Sequence, residues 1–212
     1  MAAPAAPLPA GPHVAVAGTA AARVGPNAIT RVADALRAHG GEPVLRDVFA
    51  AAGLVHHLAA PPTAMVDEAD VTALARAVRE RLPPAVAQRV HRDAGTATGD
   101  YLLAHRIPRA AQVLLRALPA RLAAPLLCRA IGAHAWTFVG SGRFRVERGR
   151  RPVLVITGGP LARAGATPGP ACDYFAATFE RLFRALVHPQ ATATEVACEA
   201  AGAPACRFAI AW

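Results

Sequence analysis

The feature that most constrains the fold is the spacing of three cysteines and a glutamate near the carboxyl terminus. Residues 172–212 hold three of the four cysteines, and they run Cys172, Glu195-Val-Ala-Cys198, Cys206. Three thiols and one carboxylate are ligand types that close a tetrahedral zinc site. Cys172 opens an apolar helix, and Cys206 begins the last strand. Glu195 and Cys198 end the strand between them, so the sequence predicts a small α+β domain in which zinc joins these three elements.

Two other interpretations of the cysteines stay open at this point. Free cysteine is often a small buried hydrophobe, and a pair of thiols could instead form a disulfide. A tight turn at Gly202-Ala-Pro-Ala205 would return Cys206 toward Cys198, which favours a shared site. Four cysteines in a chain without an export signal lead us to expect a reducing compartment, which argues against the disulfide.

The composition predicts a well-packed protein that does not bind nucleic acid. Hydrophobic residues make up 54% of the 212 positions, and the net charge of +9 comes from arginine alone because lysine is absent. A composition with arginine and no lysine is typical of GC-rich coding sequence. The positive charge is therefore weak evidence for a particular function. The arginines are scattered except in Arg143–Arg151, which we interpret as a solvated hairpin. Contact of this segment with an anion or a membrane surface is the alternative.

The chain is expected to form one domain after a short lead-in. Residues 1–22 are rich in alanine and proline, lack the basic start of a secretory signal, and are predicted to be disordered. Residues 23–212 then form the domain, with a helical part in 23–134 and a sheet, a late helix and the zinc site in 135–212. No apolar stretch has the length of a membrane span. We therefore expect a cytoplasmic protein, and peripheral contact with a membrane surface stays open.

Proline and glycine divide the first part into helices. The predicted helices are 27–40, 44–53, 67–82, 83–105 and two more that follow Pro108 and Pro119. The last of them is predicted to carry its large apolar residues on one side, namely Leu122, Leu126, Leu127 and Ile131.

The hydrophobic period changes from helix to strand after Ala135. Trp136 and Phe138 alternate, and so do Phe144 and Val146 beyond Gly140-Ser-Gly142, which predicts strand, bend and strand. Further strands are predicted at 151–157, 191–198 and 205–212, with a helix at 172–187. The Gly/Pro-rich segment 158–170 is typical of loops that border ligand sites. The fold class is therefore α+β, a helix-rich first half packed on an antiparallel sheet with one long late helix.

Several of these motifs together resemble the 4-vinyl reductase domain family. They are Arg23-Val-Gly-Pro-Asn27, the Cys-Asp-Tyr-Phe opening at Cys172, Glu195-x-x-Cys198, and Gly202-Ala-Pro-Ala-Cys206-Arg-Phe-Ala-Ile. The resemblance runs from about Arg23 to Trp212 and is strongest after Trp136. In sensory members of the family, three cysteines and a glutamate hold zinc, and all four positions match here. The resemblance thus implies a structural zinc, because four protein ligands leave no open position for substrate.

The resemblance also implies a function in bacteriochlorophyll biosynthesis, in the manner of the family's stand-alone members. The favoured hypothesis is a protein that binds a magnesium-tetrapyrrole intermediate such as divinyl protochlorophyllide and presents or stabilises it for vinyl reduction. One alternative is the 4(8)-vinyl reductase itself, using an external reductant, since the chain has no Gly-x-Gly-x-x-Gly nicotinamide turn and no flavin motif. A second alternative is a small-molecule sensor or interaction module.

The residues that would bind the tetrapyrrole are less constrained by the sequence. The histidines that could ligate magnesium are His56, His57, His91, His105 and His134. The predicted ligand-binding residues are His134, Trp136, Arg143 and Arg145, with the arginines placed to pair with a propionate. Ordinary surface or core positions explain each of them as well. Other enzymes of the pathway and a second copy of the chain are the expected protein partners.

Overall fold

The first part of the described chain is built from helices that prolines and polar caps separate. The computed structural model describes residues 22–212, so the predicted lead-in lies outside the described residues except for Ala22. The helices are α1 Asn27–Ala51, α2 His56–Ala59, α3 Glu68–Arg81, α4 Pro84–His105, α5 Arg109–Ala117, α6 Ala120–Ala133 and α7 Trp136–Val139. Two short antiparallel strands, β1 Arg23–Val24 and β2 Val66–Asp67, tie the start of the domain to α3.

The second part is an antiparallel sheet with one long helix. The strands are β3 Arg143–Glu147, β4 Val153–Thr157, β5 Thr192–Ala197 and β6 Cys206–Ala211, in the spatial order β3-β4-β6-β5. Helix α8, Asp173–Leu186, packs on this sheet through Phe179, whose ring centroid lies 5.3 Å from that of Phe208 on β6. The predicted α+β class and its late helix are confirmed.

Helix α8 also packs closely against α4, and small residues make the approach possible. A Cβ atom at Gly95 would lie 2.2 Å from the carbonyl oxygen of Tyr174, so only glycine fits there. Polar contacts cross the same interface: the Thr178 hydroxyl donates to the Gly95 carbonyl at 2.9 Å, and the Thr98 and Tyr174 hydroxyls are 2.8 Å apart. Because these groups are buried, their hydrogen bonds fix the register of the two helices.

The predicted break near Gly40–Gly41 is present, but the chain resumes its helix at once. Gly41 has φ 70° and ψ −173°, so α1 is two helical segments joined at a kink, with Pro43 at the start of the second. A left-handed φ of this kind is readily adopted by glycine, and the proline tolerates the first turn of the new segment.

Two details of the sequence prediction were wrong. Trp136 and Phe138 are not in a strand, because the backbone amide of Phe138 donates to the carbonyl of Ala135 and closes a helical turn. The four apolar residues of α6 also do not share one side. Leu127 and Ile131 are buried, whereas Leu122 and Leu126 are exposed on another face.

Candidate metal centre

The structure brings the four predicted ligand residues together at one corner of the sheet. Cys172 is the residue that caps α8, Glu195 lies on β5, Cys198 follows β5, and Cys206 begins β6. One sulfur or carboxylate oxygen from each lies within 4.8 Å of all the others. The elements that were expected to meet are therefore the ones that meet.

Local backbone features direct the two cysteines of the strand pair toward each other. A bulge shifts the register between Glu195 and Ala197, and such irregularities re-aim the side chains that follow them. The chain then turns tightly: the amide of Ala203 donates to the carbonyl of Cys198, and Gly202 takes a φ of 89°. This turn returns the chain so that Cys206 starts β6 beside Cys198.

The distances between the sulfurs fit a tetrahedral metal site. The Sγ atoms of Cys172 and Cys198 are 3.9 Å apart, those of Cys172 and Cys206 3.6 Å, and those of Cys198 and Cys206 3.8 Å. A tetrahedron with metal–sulfur bonds of ~2.3 Å places its sulfurs about 3.8 Å apart. A disulfide needs ~2 Å between its sulfurs, so all three thiols are free.

Glu195 has a buried oxygen without a hydrogen-bond partner in residues 22–212. Its Oε2 accepts a hydrogen bond from the backbone amide of Cys172 at 2.8 Å, whereas Oε1 is buried and has no hydrogen bond within the described residues. An unsatisfied buried carboxylate oxygen is costly unless a cation or donor meets it. The donor set and the free oxygen together fit Zn²⁺.

The pKa values of Glu195 and Cys172 are raised because these acidic groups are buried together without a positive charge beside them in the part of the chain that the structure describes. Burial raises the pKa of Glu195 to about 7. Hydrogen bonds to the sulfurs of Cys198 and Cys206, together with burial, raise the pKa of the Cys172 thiol. Within residues 22–212, no arginine forms an ion pair with Glu195. A divalent cation would supply the missing positive charge and favour the thiolate and carboxylate forms.

Glu199 supports this cluster and was missed by the sequence reasoning. Its carboxylate accepts hydrogen bonds from the backbone amide of Gly158 at 2.8 and 3.0 Å, and its own amide donates to the Cys206 sulfur at 3.4 Å. Glu199 thus ties the end of β4 to the turn that carries two ligands. The only sequence signal is its position directly after Cys198.

A second group of metal-ligand side chains borders an open cleft at the other part of the domain. His56, His57 and Asp70 can each place one ligand atom within 4.8 Å of the others, and His57 Nε2 lies 3.1 Å from Asp70 Oδ2. The cleft has a volume of about 480 Å³. It is lined by Arg23, His57, Asp67, Asp70 and the segment 61–66.

Comparison with known proteins assigns the family. The model of the 4-vinyl reductase domain matches residues 152–211, the part that holds all four residues of the cysteine cluster. The chain is 46% identical over 186 residues to the bacteriochlorophyll synthase 23 kDa chain of Cereibacter sphaeroides, covering 88% of this chain and 89% of that one. The chain belongs to this family of 4-vinyl reductase domain proteins. It is also 42% identical to the protein of the same name from Rhodobacter capsulatus, over 89% of this chain and 86% of that one.

One solved structure that aligns with most of this chain gives no information about its function. An H-NOX protein from S. oneidensis aligns over 88% of this chain and 97% of its own length, with a TM-score of 0.48 and 16% identity. This likeness is too low to carry an argument about this member of the 4-vinyl reductase domain family.

The helices of residues 22–212 include none that is both long and apolar enough to cross a membrane.

The predicted tetrapyrrole-binding residues lie apart from the cleft in this family member. His134 is exposed, with its Nδ1 2.9 Å from the carbonyl oxygen of Ala130, and Trp136 is exposed beside it. Arg143 and Arg145 are exposed on β3, where Arg145 pairs with Glu147 at 2.8 Å. None of these four lines the cleft, and their role stays a prediction.

The other histidines are also dispersed. His91 is buried in α4, and His105 is exposed at the end of the same helix, where its ring lies 4.8 Å from that of Tyr101. Of the five candidate magnesium ligands, only His57 lines the cleft, and His56 adjoins it. Arg23 and Asp70 were not predicted as cleft residues, because only the pairing of β1 with β2 places them there.

Proposed function

We propose that this protein acts in bacteriochlorophyll biosynthesis by binding a magnesium-tetrapyrrole intermediate and presenting it to other enzymes for vinyl reduction. Membership in the family of bacteriochlorophyll synthase 23 kDa chains supports the general role. These relatives are named as a chain, that is, as a subunit of a larger enzyme. The name supports a role in association with other proteins of the pathway. The observation that carries the ligand is the open cleft in which a histidine and an arginine face the same space.

The cleft contains two groups that suit a magnesium-tetrapyrrole, a histidine and an arginine. Its volume of about 480 Å³ falls within the range of small-molecule sites, ~300–1,000 Å³. When His57 Nε2 carries the proton and donates to Asp70, Nδ1 keeps its lone pair and can ligate a cation. The carboxylate orients the ring. Arg23 supplies the positive charge that a propionate side chain would meet.

The proposal includes a structural zinc at the cysteine cluster. Cys172, Glu195, Cys198 and Cys206 would hold it, and with four protein ligands the metal would contribute folding free energy rather than catalysis. Its place supports this role, because it joins the start of α8 to β5 and β6. Metal analysis of the purified protein is expected to find about one zinc per chain.

An absorption titration with divinyl protochlorophyllide, with and without reduced nicotinamide, tests the proposed ligand. We expect a saturable spectral change that does not depend on the reductant. Asp70→Asn should weaken binding about 10–100-fold, since it removes the carboxylate that orients His57. His134→Ala is the matched control, and it should leave binding unchanged because His134 lies outside the cleft.

Other results of this titration would overturn the proposal. Conversion to the monovinyl pigment, confirmed by mass, would make the protein the vinyl reductase itself. Loss of binding in His134→Ala but not in Asp70→Asn would place the ligand near Trp136 and β3 instead. No spectral change at any concentration would favour a sensor or interaction role that does not involve this pigment.

A further inference from the structure

Helix α5 buries Leu115 but turns a second apolar stripe toward solvent. Ala110, Val113, Leu114 and Ala117 follow the spacing i, i+3, i+4, i+7, so they form one apolar side. Surface helices normally turn such a side toward the core. Here the whole stripe faces outward, and Val113 and Leu114 are 65% and 57% exposed.

Hydrogen bonds and the buried side chain of Leu115 hold the opposite side of α5 against the protein. Gln112 is only 8% exposed, and its Nε2 donates to the carbonyl oxygens of Leu103 at 2.6 Å and Ile107 at 2.9 Å. Arg116 donates from Nε to the carbonyl oxygen of Ala185 on α8 at 3.0 Å. Rotating the helix to bury its apolar stripe would break these bonds and leave the carbonyls unpaired. The outward orientation is therefore built into the fold.

The next helix extends the exposed apolar surface. Leu122 and Leu126 lie one turn apart on α6, and both are exposed. Trp136, just beyond the helix, is exposed as well. We name the six side chains of the two helices the hairpin face: Ala110, Val113, Leu114, Ala117, Leu122 and Leu126. Several exposed large apolar side chains on consecutive helices mark sites that contact a partner or a membrane.

The charged side chains in the sequence that carries the hairpin face have a single sign. Between Asp100 and Glu147 the sequence has no acidic residue, and both of these already pair with arginines, Arg181 and Arg145. The same stretch holds seven arginines: Arg106, Arg109, Arg116, Arg121, Arg129, Arg143 and Arg145. Three that flank the face, Arg109, Arg121 and Arg129, are exposed and form no ion pair within residues 22–212.

We propose that the hairpin face docks on the surface of an anionic lipid bilayer. Helices with an apolar side and arginines at its border lie in the interface with that side ~5–10 Å deep, while guanidinium groups bond lipid phosphates. Tryptophan favours the same depth. A second copy fits less well, because a twofold interface would oppose two sets of arginines without acidic partners. The proposal does not depend on the zinc or on the tetrapyrrole.

Vesicle flotation of the full-length protein tests the apolar part of this proposal. We expect binding to phosphatidylglycerol/phosphatidylcholine vesicles and little binding to phosphatidylcholine alone. The double variant Leu114→Ser/Leu122→Ser should bind at least about tenfold more weakly, since it removes two apolar contacts from the face. Val55→Ser changes an exposed apolar residue elsewhere and should bind like the wild type. Both variants should melt normally, because all three side chains are exposed.

A second pair of variants tests the charge. Arg121→Ala/Arg129→Ala should lower binding about 30-fold and reduce its dependence on salt, because each arginine near an anionic surface adds to the attraction. Arg76→Ala/Arg89→Ala has the same net charge and changes exposed arginines on α3 and α4. That control should bind like the wild type.

Three results would overturn the proposal. The first is a wild-type protein that does not float with anionic vesicles. The second is an equal loss of binding in the hairpin and the control arginine variants, which would indicate attraction by net charge alone. The third is a wild-type dimer in sedimentation that Leu114→Ser/Leu122→Ser dissociates, without lipid binding, which would assign the hairpin face to a second copy of the chain.

Discussion

Replacing Gly95 by alanine should destabilise the protein, although the same change usually stabilises a helix. Alanine favours an exposed helix interior by ~1 kcal/mol over glycine. At Gly95, however, the new Cβ would lie 2.2 Å from the Tyr174 carbonyl oxygen and 3.0 Å from the Ala177 Cβ. An ordinary contact needs about 1 Å more, so α4 and α8 must separate.

The size of the destabilisation in Gly95→Ala follows from the free energy that it costs to separate α4 from α8. Overpacking a core costs ~1–3 kcal/mol. The two hydrogen bonds across this interface, between Thr178 and the Gly95 carbonyl and between Thr98 and Tyr174, contribute ~0.5–1.5 kcal/mol each. The ~1 kcal/mol that alanine gains in helix propensity is subtracted from the sum of these costs. The free energy of unfolding should therefore fall by about 3 kcal/mol. For a chain of this size that lowers Tm by roughly 6–12 °C.

Thermal unfolding of Gly95→Ala beside Gly132→Ala is the assay. Gly132 is also helical, but a Cβ there would meet only the Phe144 ring, at an ordinary 3.7 Å. That control should be neutral or stabilised by up to ~1 kcal/mol. A Gly95→Ala protein as stable as the wild type would refute the close packing of α4 on α8.

Three further predictions concern the metal and buried groups. Cys198→Ala should lose its zinc and at least ~4 kcal/mol of stability, as should chelator-treated wild type; unchanged metal content would refute the ligand set. Burial, aided by Arg79, lowers the pKa of His91 from 6.5 to about 3. Between pH 6.5 and 3 the unfolded chain therefore binds a proton at His91 that the folded chain does not. The stability from this group is full above pH 6.5 and declines by roughly 1.4 kcal/mol per pH unit as the pH falls toward 3. In His91→Leu, chemical denaturation should show a free energy of unfolding without this part of the pH dependence. Glu68→Ala should cost ~1–3 kcal/mol, because Glu68 accepts the Ser141 amide at 2.8 Å; thermal melting checks this.

The sequence could predict that the residues of the cysteine cluster lie close together, because the cysteines are located at the ends of helices and strands. Cys172 caps a helix that its apolar pattern reveals, and Cys198 and Cys206 flank a turn that glycine and proline mark. The bulge between Glu195 and Ala197 could not be predicted in this way. It depends on pairing with β6, which is a tertiary contact with no local signal.

Which face of a helix is buried proved harder to predict than the helix itself. Proline positions placed α5 and α6 correctly, but hydrophobic period assigned Leu122 and Leu127 to the same side. In α5 the side that holds Leu115 is buried and the stripe with Val113 and Leu114 is exposed, and the bonds of Gln112 to the Leu103 and Ile107 carbonyls favour this orientation. Such backbone acceptors exist only after α4 and α5 meet, so the sequence pattern holds no record of them.

Helix α8 connects the cysteine cluster with the rest of the core. Its cap residue, Cys172, contributes one sulfur, and Tyr174, two residues later, contacts Thr98 of α4. On its other side, Phe179 packs on Phe208 of β6, the strand that Cys206 begins. A displacement of α8 relative to α4 or the sheet would therefore move Cys172 relative to the other two sulfurs. A metal held there would stabilise the helix-to-sheet contact by the same bonds that fix its own geometry.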